Sequence, residues 1–150
     1  MATKANKIVL GKRPTGFKKE VKCTMLDGST GCMEVTFKYR SRTELAELTD
    51  KFQATLKDEA NVEIERFKAA VEKAKAAGET IPEFTMTQAE IVARQTKVAV
   101  DYILAIVDSW NLDAEFDKHG VAELVDTLPA MADAIKDDYR TAINEGRLGN

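Results

Sequence analysis

Residues that carry chemistry are scarce in this chain. Its 150 residues include one histidine and two cysteines. His119 lies between Lys118 and Gly120, where a solvated or capping role is more probable than catalysis. One distant histidine with two cysteines does not make a zinc site. The sequence also has no GxGxxG or GxxxxGK[ST] motif to hold a nucleotide phosphate. We therefore predict no enzyme, no cofactor and no metal site.

Long apolar runs are also missing. No segment approaches the roughly 20 residues that a membrane helix requires, and the first apolar stretch, Ile8-Val9-Leu10, lies among lysines. With 44% hydrophobic residues, the chain is long enough for one modest core. We predict a single domain over residues 1–150, in the cytoplasm and without a membrane partner. Its predicted parts are a basic arm at 1–16, a β-hairpin at 17–40 and a helical region at 41–150.

The net charge of −3 hides an asymmetry along the chain. Residues 1–22 hold seven Lys or Arg and one Glu, whereas residues 23–150 hold fifteen basic and twenty-four acidic residues. The two parts could attract each other, or a neighbouring copy. A basic arm also raises the alternative of nucleic-acid binding, because lysine and arginine neutralise phosphates. The acidic body argues against that alternative.

The hairpin is predicted from alternating apolar residues on two runs separated by Asp27-Gly28-Ser29. Phe17, Val21 and Cys23 alternate with polar residues in the first run, as do Met33, Val35 and Phe37 in the second. A register that groups the apolar side chains pairs odd with odd positions. Cys23 then faces the core and Cys32 faces away, which argues against a disulfide. The same register disfavours a plain two-residue turn.

Two capping boxes open predicted helices, Ser41 with Glu44 and Thr87 with Glu90. The first helix carries an apolar stripe at three- and four-residue spacing toward Gly78. The stripe comprises Leu45, Leu48, Phe52, Leu56, Ala60, Ile64, Phe67, Val71 and Ala74. A continuous helix would be about 50 Å long, too long for a small domain to cover. It therefore breaks near Asn61 or needs a partner, and self-association is one possibility.

The last third has the strongest periodicity. An apolar helix is predicted to end at Trp110, followed by a short helix, a Pro129 helix start and a stop at Gly146. The fold class is therefore α+β, mainly α, with the N-terminal hairpin packed on a bundle of about four helices. Trp110 has two interpretations, a core anchor that closes its helix or an exposed contact for a protein partner. Tyr139 has the same two interpretations.

These residues together resemble the tail assembly chaperone family of long-tailed bacteriophages and prophages. The resemblance covers roughly residues 15–42 and 98–150. It rests on the order and spacing of the basic start, the hairpin with Met25-Leu26-Asp27-Gly28 and Val35-Thr36-Phe37-Lys38-Tyr39, the Val107-x-x-Trp110-Asn-Leu-Asp113 segment, Leu124 to Pro129, Ile135-x-x-x-Tyr139 and Gly149-Asn150.

The resemblance implies a non-enzymatic protein that binds the tape measure protein, keeps it soluble and helps to recruit the tail tube protein. Such a protein acts in the host bacterial cytoplasm and is not expected in the mature virion. In this family a frameshift often makes a longer product. We expect partner binding at apolar residues of the last helices, namely Val98, Tyr102, Ile106, Trp110, Ile135, Tyr139 and Ile143.

Two alternatives from other classes stay open. A minor structural or completion protein of a phage tail would remain in purified particles, whereas a chaperone would be absent from them. A small nucleic-acid-binding regulator would use the basic arm and bind duplex DNA in a salt-dependent way.

Overall fold

A computed structural model describes residues 5–149. Its elements in chain order are β1 (Gly16–Thr24), β2 (Thr30–Lys38), α1 (Arg42–Ala77), α2 (Gln88–Ile106), β3 (Val107–Trp110), α3 (Lys118–Thr127) and α4 (Pro129–Glu145). The strands form one antiparallel sheet in the order β1-β2-β3. The predicted α+β class, mainly helical with an N-terminal hairpin and four helices, is confirmed.

The hairpin has the predicted register. Phe17 lies opposite Phe37 and Val21 opposite Met33, so the apolar side chains share the inner face. Cys23 is half-buried and Cys32 is exposed on the other face, as the pairing rule predicted. The turn is wider than two residues, because the Met25 N–H donates to the Ser29 carbonyl at 2.7 Å.

The apolar helix predicted to end at Trp110 ends four residues earlier. Helix α2 ends at Ile106, and the residues up to Trp110 form β3 beside β2. The apolar spacing fits both structures, but pairing with β2 decides between them, with Val107 opposite Phe37. Asn111 secures the junction, because its N–H donates to the Glu34 carbonyl at 3.1 Å while its Oδ1 accepts from the Glu34 N–H at 2.8 Å.

The core lies between the inner face of the sheet and helices α2, α3 and α4. Tyr139 of α4 is completely buried at its centre, 5.2 Å from Phe37 and 6.1 Å from Phe17 between ring centroids. Its hydroxyl donates to the Lys38 carbonyl at 3.0 Å and accepts from Arg40 at 3.2 Å. Helix α4 is thereby joined to the segment that connects β2 to α1.

Helix α1 is continuous through Asn61, so the predicted alternative of a break does not occur. It has 36 residues, about 54 Å at 1.5 Å per residue. Both capping boxes form as predicted, at Ser41 and Thr87. Pro129 opens α4, and Gly146 ends it with φ +69°, in the left-handed region that glycine tolerates.

Candidate partner-binding cleft

Helix α1 lies along α2 without closing against it. Phe52 of α1 meets Tyr102 of α2 edge to face, with ring centroids 5.5 Å apart. Two salt bridges join the helices further along, Lys97 to Glu59 at 3.2 Å and Arg94 to Glu63 at 3.1 Å. Between these contacts the apolar stripe of α1 is not covered.

Leu56 shows this, because it belongs to the apolar stripe of α1 and yet is 42% exposed. It lines open space on both sides of the contact, a cleft of about 690 Å³ toward α4 and a smaller one of about 260 Å³ on the opposite side. We call the larger space the α1–α2 cleft. Its apolar lining consists of Phe52, Leu56, Ala60, Val98, Ala99 and Tyr102.

Charged residues surround the α1–α2 cleft, and opposite charges are paired on its rim. On α4, Lys136 lies 3.3 Å from Asp133, and Arg140 pairs with Asp137 one turn later. Arg94 of α2 is held by Glu63. Exposed pairs of this kind contribute little to stability. A rim of paired charges around an apolar floor suits an occupant with an apolar face and polar edges.

Tyr102 contributes both a ring and a hydroxyl to the cleft. Burial raises the pKa of Tyr102 above its ordinary value of 10.0, although the nearby Arg140 opposes this effect. The hydroxyl is therefore neutral at physiological pH. An aromatic side chain with a polar tip is well suited to a protein contact, because the ring packs while the tip hydrogen-bonds.

The structure separates the seven residues predicted to bind a partner. Val98 and Tyr102 are half-buried and line the α1–α2 cleft. Four others lie in the core: Ile106, Ile135 and Tyr139 are 0% exposed and Ile143 is 5% exposed. A partner that docks on the folded chain does not reach those four side chains, which instead pack in the core.

Trp110, the seventh residue, is half-buried at the end of β3, away from the cleft residues of α1. Its indole N–H donates to the Ala114 carbonyl at 2.7 Å, and its ring meets Phe116 edge to face at 5.1 Å. Gly120 fits beneath this loop, since a Cβ there would lie 2.1 Å from the Glu115 carbonyl oxygen. These contacts agree with the interpretation of Trp110 as an anchor within the chain.

Sequence reasoning did not assign Phe52, Leu56 and Ala60 to the site, although it recognised the stripe that contains them. The available signal was the length of that stripe, which exceeds what the rest of a small domain covers. The width of the gap between two helices depends on tertiary packing and has no pattern in the sequence.

Within residues 5–149, no helix is long and apolar enough to cross a membrane. The same described residues contain no group of three or more His, Cys, Asp or Glu side chains placed to hold a metal ion. His119 is exposed in the first turn of α3.

The family model of the phage tail assembly chaperones matches residues 1–150, the whole length of the chain. No curated protein and no solved structure matches it.

Proposed function

Because the chain belongs to the phage tail assembly chaperone family, we propose that it binds the tape measure protein of a long-tailed phage and keeps it soluble. We further propose that it helps to recruit tail tube protein and leaves before the tail is finished. Its role is then non-enzymatic. Its place of action is the host bacterial cytoplasm, and purified virions lack it.

The α1–α2 cleft is the observation that best supports this proposal. A tape measure protein is rich in long helices, and their apolar faces promote aggregation until the tube encloses them. The cleft has a volume of about 690 Å³, lies between three helices, and has aromatic and aliphatic side chains on its floor. An amphipathic helix that lays its apolar face into such a groove is a recurring mode of recognition. Val98 and Tyr102, both predicted as partner contacts, line this floor.

Release from the finished tail requires each contact to be weak. The α1–α2 cleft fits this requirement, because a single short groove buries little of a long helix. Many copies along one tape measure protein would together bind strongly, since linked sites raise the effective concentration of one another. Their gradual displacement by tube subunits would then need no covalent step.

Co-expression with the tape measure protein tests the proposal. The soluble fraction of the tape measure protein is compared with and without this chain, and any complex is sized. A soluble complex with several copies of this chain is the expected result. Full solubility of the tape measure protein alone, with no association, would overturn the proposal.

A matched pair of variants tests the cleft itself. Leu56→Glu places a charge on the floor of the cleft, whereas Val62→Glu makes the same change elsewhere on α1, where the side chain is 51% exposed. We expect Leu56→Glu to lose the soluble complex and Val62→Glu to keep it, with both variants equally helical by circular dichroism. Equal behaviour of the two variants would exclude the cleft as the binding surface.

Mass spectrometry of purified particles separates the chaperone from a minor structural protein of the tail. We expect peptides of the tube and of the tape measure protein but none of this chain. A constant number of copies per particle would favour the structural role.

A further inference from the structure

The basic arm carries an apolar triplet that no described part of the chain covers. Ile8 is 85% exposed, Val9 is 55% exposed and Leu10 is 91% exposed. Two of these residues are β-branched, and β-branched residues favour strands. Lys7 and Lys12 flank the triplet, and neither joins a salt bridge within residues 5–149.

The arm leaves the body at a fixed point. The Arg13 guanidinium lies 2.6 Å from a carboxylate oxygen of Glu44 and 5.2 Å from the centre of the Tyr39 ring. The Tyr39 N–H donates to the Thr15 carbonyl at 3.3 Å. The segment before Arg13 is therefore presented outward from a defined position, while its apolar side chains lie in solvent.

The sheet has two edges that differ in charge. The β1 edge (Gly16–Thr24) carries Lys18, Lys19 and Lys22, which is a common way to prevent strand pairing. These lysines would also repel a basic segment. The β3 edge (Val107–Trp110) carries no lysine, and its one charged residue is Asp108.

The β3 edge offers backbone groups for pairing. Asn111 directs its N–H toward β2, and backbone groups alternate in direction along an antiparallel strand. The N–H and carbonyl of Trp110 therefore point away from β2, to the side where no described strand lies. A segment with an extended backbone can hydrogen-bond to them.

Acidic side chains lie on β3 and in the segment that directly follows it. Asp108, Asp113 and Glu115 are all exposed, and none of them joins a salt bridge within the described chain. One sheet edge thus combines open backbone groups with unpaired negative charge, and the arm combines a strand-forming triplet with unpaired positive charge. The two surfaces are complementary.

We infer that the arm of one copy adds as a strand to the β3 edge of a second copy. Strand addition at a sheet edge is an established mode of recognition, in which the backbone supplies affinity and side chains supply specificity. The contact joins two different surfaces, so each copy has one arm to give and one edge to receive. Such head-to-tail contacts build rings or open rows.

A row of copies would give the cleft the multivalency that the proposed function requires. The inference does not depend on that function, however, because it concerns the chain alone. Its test uses no tape measure protein, so its failure would leave the proposed function untouched.

Sedimentation velocity of the full chain over a wide concentration range provides the test. We expect the mean mass to rise with concentration, and to fall as added salt screens the exposed charges. The measurement is made on samples with and without prior nuclease treatment. A mass that stays monomeric at every concentration would overturn the inference, as would association that disappears on nuclease treatment.

Charge reversal identifies the two surfaces. The arm variant is Lys7→Glu with Lys12→Glu, and the edge variant is Asp108→Lys with Asp113→Lys. We expect each variant alone to associate at least about tenfold more weakly, because like charges then meet at the contact.

Matched controls change the same charges on exposed positions of α1. They are Lys57→Glu with Lys73→Glu for the arm variant, and Asp50→Lys with Asp58→Lys for the edge variant. We expect both controls to associate like the unmodified chain. Equal weakening in variants and controls would assign the effect to net charge and overturn the inference.

An equimolar mixture of the arm variant and the edge variant gives the most specific result. The acidic arm of one then meets the basic edge of the other, while the unmodified arm and edge remain complementary. Head-to-tail pairing therefore predicts that the mixture regains the mass of the unmodified chain. A mixture that stays as small as its components would overturn the assignment of these two surfaces.

Discussion

Helices α1 and α4 have the same kind of pattern and opposite surroundings. Both carry apolar residues at three- and four-residue spacing, begin at a defined residue and end at a left-handed glycine. Yet α4 buries six of its 17 residues, whereas α1 buries two of its 36. The sheet lies behind α4, whereas α1 has only scattered contacts with α2, with α4 and with the loop before α2. An amphipathic stripe therefore shows which face of a helix favours burial, but not whether the same chain buries it.

The largest expected contrast is in stability. Ile135→Ala removes a fully buried side chain from α4 and should lower the free energy of unfolding by about 2–5 kcal/mol. Leu56→Ala removes a similar side chain from α1, where it is 42% exposed, and should change stability by about 0.5 kcal/mol at most. Urea denaturation of both variants measures the difference. Equal losses would mean that α1 is packed as firmly as α4.

The same contrast should be visible without mutation. Amide hydrogens of α4 are expected to exchange with solvent only through global unfolding, because that helix lies in the core. The middle of α1, around Leu56, has few apolar contacts and should open locally. We expect protection factors there to be lower by about a hundredfold or more than near Tyr139, measured by hydrogen exchange with mass spectrometry. Similar protection in both helices would contradict this picture.

A smaller difference in stability is expected between variants of Tyr139 in the core and Tyr102 in the α1–α2 cleft. Tyr139→Phe removes the hydrogen bonds to the Lys38 carbonyl and from Arg40, and should cost about 1 kcal/mol. Tyr102→Phe is the matched control, since no described hydrogen bond uses its hydroxyl, and it should lie within about 0.5 kcal/mol of the unmodified chain. Thermal denaturation under identical conditions compares them. A larger loss for Tyr102→Phe would show that the cleft contributes more to stability than the core bond.

The smallest effect concerns the start of α1. The hydrogen bond from Arg13, helped by those from Ser41, lowers the pKa of Glu44 from 4.5 to about 2. A lowered carboxyl pKa stabilises the folded chain above pH 4.5, and that contribution is lost as the pH falls toward 2. In an NMR titration, Arg13→Ala should raise the pKa of Glu44, whereas Arg42→Ala, which changes a neighbouring exposed arginine, should not. An unchanged pKa in Arg13→Ala would show that Arg13 does not hold this carboxylate.

Local signals in the sequence were sufficient for most of the fold. The capping boxes at Ser41 and Thr87, the Pro129 start and the Gly146 stop each depend on neighbouring residues, and all four occur as predicted. The hairpin register followed from alternation, because its two strands are close in sequence. The third strand was missed, because four residues at Trp110 satisfy a helical and a strand pattern equally. Only pairing with the distant strand β2 decides between them.

The structure divides the predicted partner-binding residues between the core and the surface for a related reason. Ile106, Ile135 and Ile143 are apolar residues of the kind that a partner would bind. The sequence correctly indicates that the helix faces carrying them are buried. They are buried by other parts of the same chain, and this depends on how the helices and strands pack. By contrast, the exposed position of Leu56 depends on the distance between two helices that touch mainly through Phe52.

The hydrogen bonds of Tyr139 have a mechanical consequence for α1. They hold the residues just before Ser41 against the core, so the first turn of a helix about 54 Å long begins at a pivot that is attached to the core. Leu56 lies fifteen residues beyond that pivot, about 22 Å along the axis. A tilt of about 10° at the pivot therefore moves Leu56 by about 4 Å. The angle at which α1 leaves the core near Ser41 therefore sets the width of the α1–α2 cleft at Leu56.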